Sequence, residues 1–358
     1  MVCIAAFIIM AIMGVFVAFL SIFRRDIGKR YLKAFKKSWA CVGKRVTLQK
    51  CETGFGDDIK NSILAKVIVT KPKLVKPISI AIEVFSILIV VISIWSLVEG
   101  AKAGLALWSL GTCNVKHASA CSLGAEVCSI DDNSEPTNLF GYIGLWFSDW
   151  GEIFSAIPDK FRDWNADNFD FEGFTIGHAP ADAPKAIDVF DPGCVVCMAS
   201  FRTQLETGFF DKYNTTLVAF PIQDESGKFK FRNSELIVRY IYATEKQGHP
   251  RDEQEGAESP AVQIIKRIFT EKNEDGMTYQ DAFNDDYSAE EAEEILLKWL
   301  KEFGYHHDER DAIQEFAKSD EIGHIIEKNN QIVVEDIHAK GIPTMIYDNK
   351  KHSGKYEE

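Results

Sequence analysis

Cys194-Val195-Val196-Cys197 stands where a β-type run over 186–191 and a Pro192-Gly193 turn feed a helical pattern over 198–205. A dithiol at a strand–turn–helix junction restricts the fold around it. Its first sulfur caps a helix N-terminus, where unpaired backbone N–H groups and the helix dipole favour thiolate over thiol. That is the condition for disulfide exchange. The same spacing forms half of many zinc sites, but zinc needs a second ligand pair, and no second CxxC or HxxxH follows. The reading is therefore a redox pair with no metal.

Two apolar runs set the topology. Residues 2–23 form an uncharged run of 22, and residues 78–98 a run of 21 with Glu83 as its only charge. Each is long enough to cross a hydrocarbon layer of about 30 Å as a helix. The loop between them, 24–77, holds 15 Lys and Arg against 4 acids, which places it in the cytoplasm. No small-residue cleavage site ends the first run, so a removable signal peptide is not expected. Both termini, and everything after residue 98, are expected outside a two-pass cell-membrane anchor.

Residues 99–358 carry a net charge of −23 against +11 for the loop. This asymmetry excludes a nucleic-acid partner and fits an acidic, extracytoplasmic domain. Loop cysteines Cys41 and Cys51 face a reducing compartment and read as free thiols. The first outer segment, 99–174, contains Cys113, His117, Cys121 and Cys128. Outside the cytoplasm a local disulfide among the three cysteines is favoured over a metal site, with the third left to pair elsewhere or to act as a relay to Cys194.

Within the same segment, Leu139, Ile143, Trp146, Phe147, Trp150, Phe154 and Ile157 recur at helical spacing. They read as a helix over 139–157, lying on the membrane or packed on the outer domain. An acidic aromatic linker over 163–184 follows. Beyond it the pattern gives a strand at 186–190, the dithiol helix at 194–209 and a strand at 216–222. Helices are then expected at 234–246, 259–271, 288–303, 308–318 and 321–328, with another reaching about 340. Ser288 with Glu291 has capping-box spacing, and Ser234 reads as a second cap. The chain returns to strand after Gly341.

Ala183-Pro184 and the run Ile187-Asp188-Val189-Phe190-Asp191-Pro192-Gly193-Cys194-Val195-Val196-Cys197 resemble the opening of a DsbA-like thiol–disulfide oxidoreductase of the thioredoxin superfamily. Residues 341–354, with Gly341-Ile342-Pro343-Thr344, resemble that family's cis-proline strand and closing hairpin. The resemblance covers about 175–358. It implies a thioredoxin-like α/β fold with a helical insertion at about 234–340, preceded by two transmembrane helices and a membrane-proximal helical segment.

The resemblance also implies roles. Cys194, exposed at the helix N-terminus, forms the mixed disulfide, and Cys197, shielded one turn in, resolves it. Asp188 is the buried acid beneath the dithiol that takes the proton of Cys197, with Asp191 as its rival. Pro343 is cis and faces the dithiol, while Ile342 offers its backbone to an extended client. Val195-Val196 departs from the Pro or His common between family cysteines, which leaves the redox potential open.

The expected function is a membrane-anchored thiol–disulfide oxidoreductase acting on extracytoplasmic client proteins, with no cofactor beyond the redox-active disulfide. Oxidation is slightly favoured by the DsbA-like resemblance, by Ile342 and by the oxidising compartment, and the resemblance then implies a quinone-linked membrane partner. A reductase or isomerase fed from the membrane is the alternative enzyme, and a non-catalytic client-binding module is the alternative class.

Overall fold

The computed structural model describes residues 71–113, 115, 127–130, 138–177, 179–223, 227–251 and 258–357, with isolated helical positions between 32 and 65. The first apolar run and most of the basic loop, including Cys41 and Cys51, lie outside the described residues, as does Cys121. Met1–Ala101 and Lys102–Glu358 form two compact units.

The second apolar run is part of a longer helix, α1 (Val75–Leu110), of 36 residues. At 1.5 Å per residue it extends about 54 Å, well beyond the span of 78–98. The small and apolar residues after Gly100 continue the helix until Gly111, whose φ of +80° ends it while its N–H bonds the Leu107 carbonyl. Ile80, Val84, Phe85, Leu88, Val91, Ile92, Trp95 and Leu97 are exposed around its circumference. Among the described residues, α1 with the short turn before it is the one helix long and apolar enough to cross a membrane.

Helix α2 (Leu139–Ser155) forms where the aromatic periodicity places it, opened by the Asn138 side chain, which accepts from Gly141 N. Ile153 and Ala156 pack with Ala106, Leu110 and Val115. Lys102 pairs with Asp149 at 2.9 Å. Leu139, Phe140, Ile143, Phe147 and Phe154 remain exposed, so this helix is neither a core helix nor a polar surface one.

The core of the second unit is a five-stranded sheet in the order β2-β4-β3-β6-β7. Its strands are β2 (Phe174–Ile176), β3 (Lys185–Phe190), β4 (Asn214–Ala219), β6 (Thr344–Tyr347) and β7 (Lys350–Ser353). A two-stranded ladder of β1 (Cys128–Ser129) and β5 (Gly341–Ile342) stands apart from it. β3 and β4 run parallel, and β6 returns antiparallel to β3. Helices cover the β3–β4 pair, which is why β3 reads as a continuous apolar run instead of an alternating one. β2 lies in the stretch read as a linker. Three residues are too few to show alternation, and Phe174 and Ile176 become inward-facing only by pairing with β4.

Helix α3 (Val195–Glu206) follows β3 directly. The insertion between β4 and β5 contains α4 (Ser234–Gln247), α5 (Pro260–Thr270), α6 (Ala289–Glu302), α7 (His307–Ala317) and α8 (Asp320–Gln331). The Ser288–Glu291 capping box is present in full. Ser234 does not cap α4. Asn233 holds that position, and the Ser234 hydroxyl bonds Asp191 instead. The final helix stops earlier than about 340, since α8 ends in a single π-turn over Ile332–Asp336. A helical insertion on a mixed α/β sheet is thus the architecture of residues 174–357.

Candidate active site

β3 ends at Phe190, and the turn Asp191-Pro192-Gly193 delivers Cys194 to the N-cap of α3. The Asp191 side chain builds this turn by accepting from Gly193 N and Ile222 N, each at 2.7 Å, and from the Ser234 hydroxyl. The turn is also held from the insertion. Gln280 Nε2 donates to the carbonyls of Pro192 and Cys194 at 2.9 and 3.0 Å, and Asn284 Nδ2 donates to that of Gly193 at 2.8 Å. Sequence reading missed Gln280, Asn284 and Ser234. Gln280 and Asn284 lie in the short polar stretch 278–286 and Ser234 at the start of α4, and nothing local ties them to the dithiol.

Gly193 is required by space. A Cβ there would lie 2.4 Å from Phe231 Cβ and 2.9 Å from Asn284 Oδ1. Gly193→Ala is expected to cost about 1–3 kcal/mol, the usual range for overpacking. Thermal unfolding of the purified protein should show it as a lowered Tm, and an unchanged Tm would mean that Phe231 yields freely.

At the N-cap, Cys194 Sγ accepts from Cys197 N at 3.4 Å and lies 3.9 Å from the carbonyl oxygen of Ile342. The Ile342–Pro343 peptide bond is cis, and the loop containing it faces the first sulfur. The pair is therefore assembled by two chain segments nearly 150 residues apart in sequence, the β3–α3 turn and the β5–β6 strand. Cys197 is buried on the core side of α3. Burial pushes its thiol well above the ordinary range, and the neighbouring Asp188 and Asp191 carboxylates add to the rise.

Both acids beneath the dithiol are buried, and burial raises each to about 6. They differ in how well they are satisfied. Asp191 has the three donors described above. Asp188 Oδ2 receives one hydrogen bond, from Gln204 Nε2 at 2.9 Å, while Asp188 Oδ1 and Gln204 Oε1 have no partner. Asp191 therefore holds the turn, and Asp188 is the carboxylate with an oxygen left for a proton.

The exposure expected of Cys194 is overturned. Its sulfur is buried and bonded to Cys128. Of the outcomes left open for Cys113, Cys121 and Cys128, the structure shows Cys128 as the one that reaches across the fold to Cys194; Cys113 is itself disulfide-bonded. The physical reason is strand addition. Residues 127–130 lie antiparallel along β5, which brings Cys128 opposite Ile342 and therefore beside Cys194. Only Val195, between the two cysteines, remains well exposed at the α3 terminus.

No family model matches the chain, and no curated protein does. Among solved structures it is similar to the thiol–disulfide exchange protein α-DsbA2 of Wolbachia pipientis, at 16% identity and a TM-score of 0.35, covering 53% of this chain and 83% of that one. It is also similar to the MdbA thiol–disulfide oxidoreductase of Corynebacterium diphtheriae, at 14% identity and a TM-score of 0.35, covering 50% and 83%. For the MdbA protein of Corynebacterium matruchotii the values are 13% and 0.36, with 58% and 96% covered. These neighbours are DsbA-like, but likeness at this level assigns no activity. The chemistry rests on the arrangement of Cys194, Cys197, Asp188 and the Ile342–Pro343 strand.

Proposed function

We propose that the chain is a membrane-anchored thiol–disulfide oxidoreductase with a thioredoxin-like domain that acts on extracytoplasmic proteins. The carrying observation is the placing of Cys194 Sγ at the N-terminus of α3, 3.9 Å from the Ile342 carbonyl, with Cys197 sealed behind it. In the oxidising direction a client thiolate attacks Cys194 Sγ of a Cys194–Cys197 disulfide, and Cys197 leaves as a thiolate that takes up a proton. A second client thiolate then displaces Cys194. In the reducing direction the same bonds form and break in reverse order, with Cys197 giving up its proton and attacking Cys194 Sγ.

Asp188 suits both directions, because a carboxyl titrating at about 6 can give or take a proton near neutrality. The oxidising direction is favoured by an extracytoplasmic setting, and it calls for a membrane partner that re-oxidises the dithiol, with quinone chemistry as its class.

The test is the equilibrium of the 194/197 pair in full-length protein held in detergent with glutathione buffers, read by mass after alkylation. A single two-electron transition near the glutathione potential or above it fits an oxidase or isomerase, and one far below fits a reductase. A pair that stays oxidised throughout and never exchanges with glutathione would leave only a structural disulfide.

A further inference from the structure

The segment that covers Cys194 is docked as a client would be. Cys128 and Ser129 pair antiparallel with Ile342 and Gly341, and Ile130 N extends the ladder to the Lys340 carbonyl at 3.1 Å. Lys230 Nζ donates to the Ser129 carbonyl at 3.2 Å. Ile130 is buried and belongs to the main core cluster, so the segment is anchored by an apolar side chain two residues after its cysteine. Gly341 keeps the approach open, since a Cβ there would lie 3.0 Å from both the Cys128 carbonyl oxygen and Val127 Cβ. Main-chain pairing along one short strand with one buried side chain uses the same contacts by which extended peptides are recognised in strand addition, here on β5 and not on an edge of the five-stranded sheet.

We infer that residues 127–130 are an internal client: Cys128 occupies the Cys194 site as a mixed disulfide and must be displaced before an external protein can exchange. The inference rests on the oxidoreductase reading above. The displacement is an internal exchange. Cys197 loses its proton, its thiolate attacks Cys194 Sγ, the Cys194–Cys197 bond forms as the Cys128–Cys194 bond breaks, and Cys128 leaves as a thiolate that is protonated. One disulfide and one thiol are present before and after, so no oxidant or reductant is consumed. The same contacts define what an external client must offer: an extended segment, a cysteine set opposite Ile342, a small residue next to it opposite Gly341, and an aliphatic residue two positions on.

The test compares full-length wild type, Cys128→Ser and Ile130→Asp, each expressed in the oxidised state. Peptide mapping after alkylation without reduction is expected to find the 128–194 cross-link in wild type, and the 194–197 cross-link in both variants. A tethered competitor acts at an effective concentration on the order of millimolar. Attack of a micromolar reduced peptide of sequence Val-Cys-Ser-Ile, through its free thiol, on the protein disulfide should therefore be about tenfold or more faster in both variants, with Ile130→Asp keeping Cys128, Cys194 and Cys197. Equal rates in all three proteins, or a 194–197 cross-link already in wild type, would overturn the internal client while the oxidoreductase reading stands. If neither wild type nor variants exceed Cys194→Ser, the oxidoreductase reading falls and the internal client with it.

Discussion

Cys194→Ser is expected to lower exchange with a glutathionylated peptide by on the order of 10³-fold or more, since removing the attacking group of a covalent mechanism leaves only binding. The fold should survive the change. Serine keeps the α3 cap, but the change also removes the Cys128–Cys194 cross-link, so the Tm is expected to fall by about as much as in Cys128→Ser, which serves as the matched control. Cys197→Ser in a Cys128→Ser background separates the two steps. Cys194 can still be attacked or attack, but neither Cys197 behind it nor Cys128 beside it is left to displace the adduct. The reduced double variant should therefore show one burst of exchange and stop as a stable mixed disulfide, detectable by mass without reduction. Retention of steady exchange in Cys194→Ser would assign the chemistry to another cysteine, with Cys128 the first candidate because it lies against the same sulfur.

Residue patterns made some of this arrangement legible and left other parts hidden, for separable reasons. The β3–α3 junction is readable because one short run contains strand, turn and helix signals together, and the cap role of Cys194 follows from that order. The capping box of α6 is readable for the same reason, since Ser288 and Glu291 act within one turn. Asp188 is expected to be buried on the family resemblance and is buried in the structure. Its distinction from Asp191 does not read, because it depends on donors from Ile222, Ser234 and Gln204, which belong to three different elements.

The pairing of Cys128 with Cys194 is one outcome that the sequence leaves open without saying which of the three cysteines reaches the dithiol. Sequence proximity favours closing short loops among Cys113, Cys121 and Cys128, whereas this bond spans 66 residues. What outweighs the longer loop is the ladder with Gly341–Ile342 and the burial of Ile130, contacts with a segment more than 200 residues away. Loop-closure entropy grows only slowly with length, by about 0.6 kcal/mol per doubling, so a few strand contacts suffice to reverse the preference. Exposure of Cys194 failed as an expectation through the same event, because a helix N-terminus looks open until another strand lies across it.

Asp188→Asn is expected to make the protein more stable at neutral pH and slower in resolving its mixed disulfide. Burial lifts the Asp188 carboxyl to about 6 from an ordinary value of 3.8. Between those two values the folded protein keeps a proton that the unfolded chain has released, so the stabilisation is complete below about 3.8 and is lost as pH rises through about 6. Above that window the buried charge costs roughly 3 kcal/mol, the free-energy equivalent of the shift. Asparagine removes the charge, and its amide supplies a donor where Asp188 Oδ1 and Gln204 Oε1 are now both unpartnered acceptors.

Chemical denaturation at pH 5 and pH 8 should therefore show a smaller loss of stability with rising pH in Asp188→Asn than in wild type. Asp191 titrates at the same value, and so part of the wild-type slope will persist. The kinetic effect runs the other way. Resolution requires Cys197 to lose a proton that burial holds tightly, and removing a positioned base typically costs about 10²-fold or more. Single-turnover release of a peptide from Cys194 should rise through an inflection near pH 6 in wild type and lose that inflection in Asp188→Asn. Asp191→Asn supplies the contrast: its two backbone donors and the Ser234 hydroxyl would meet an amide with one acceptor oxygen, so at pH 5 stability should fall by about 1–3 kcal/mol, a loss that relief of the buried charge offsets at pH 8. If Asp188→Asn loses as much stability as Asp191→Asn at pH 5, the difference in hydrogen bonding does not divide the acids into a structural and a proton-transferring one.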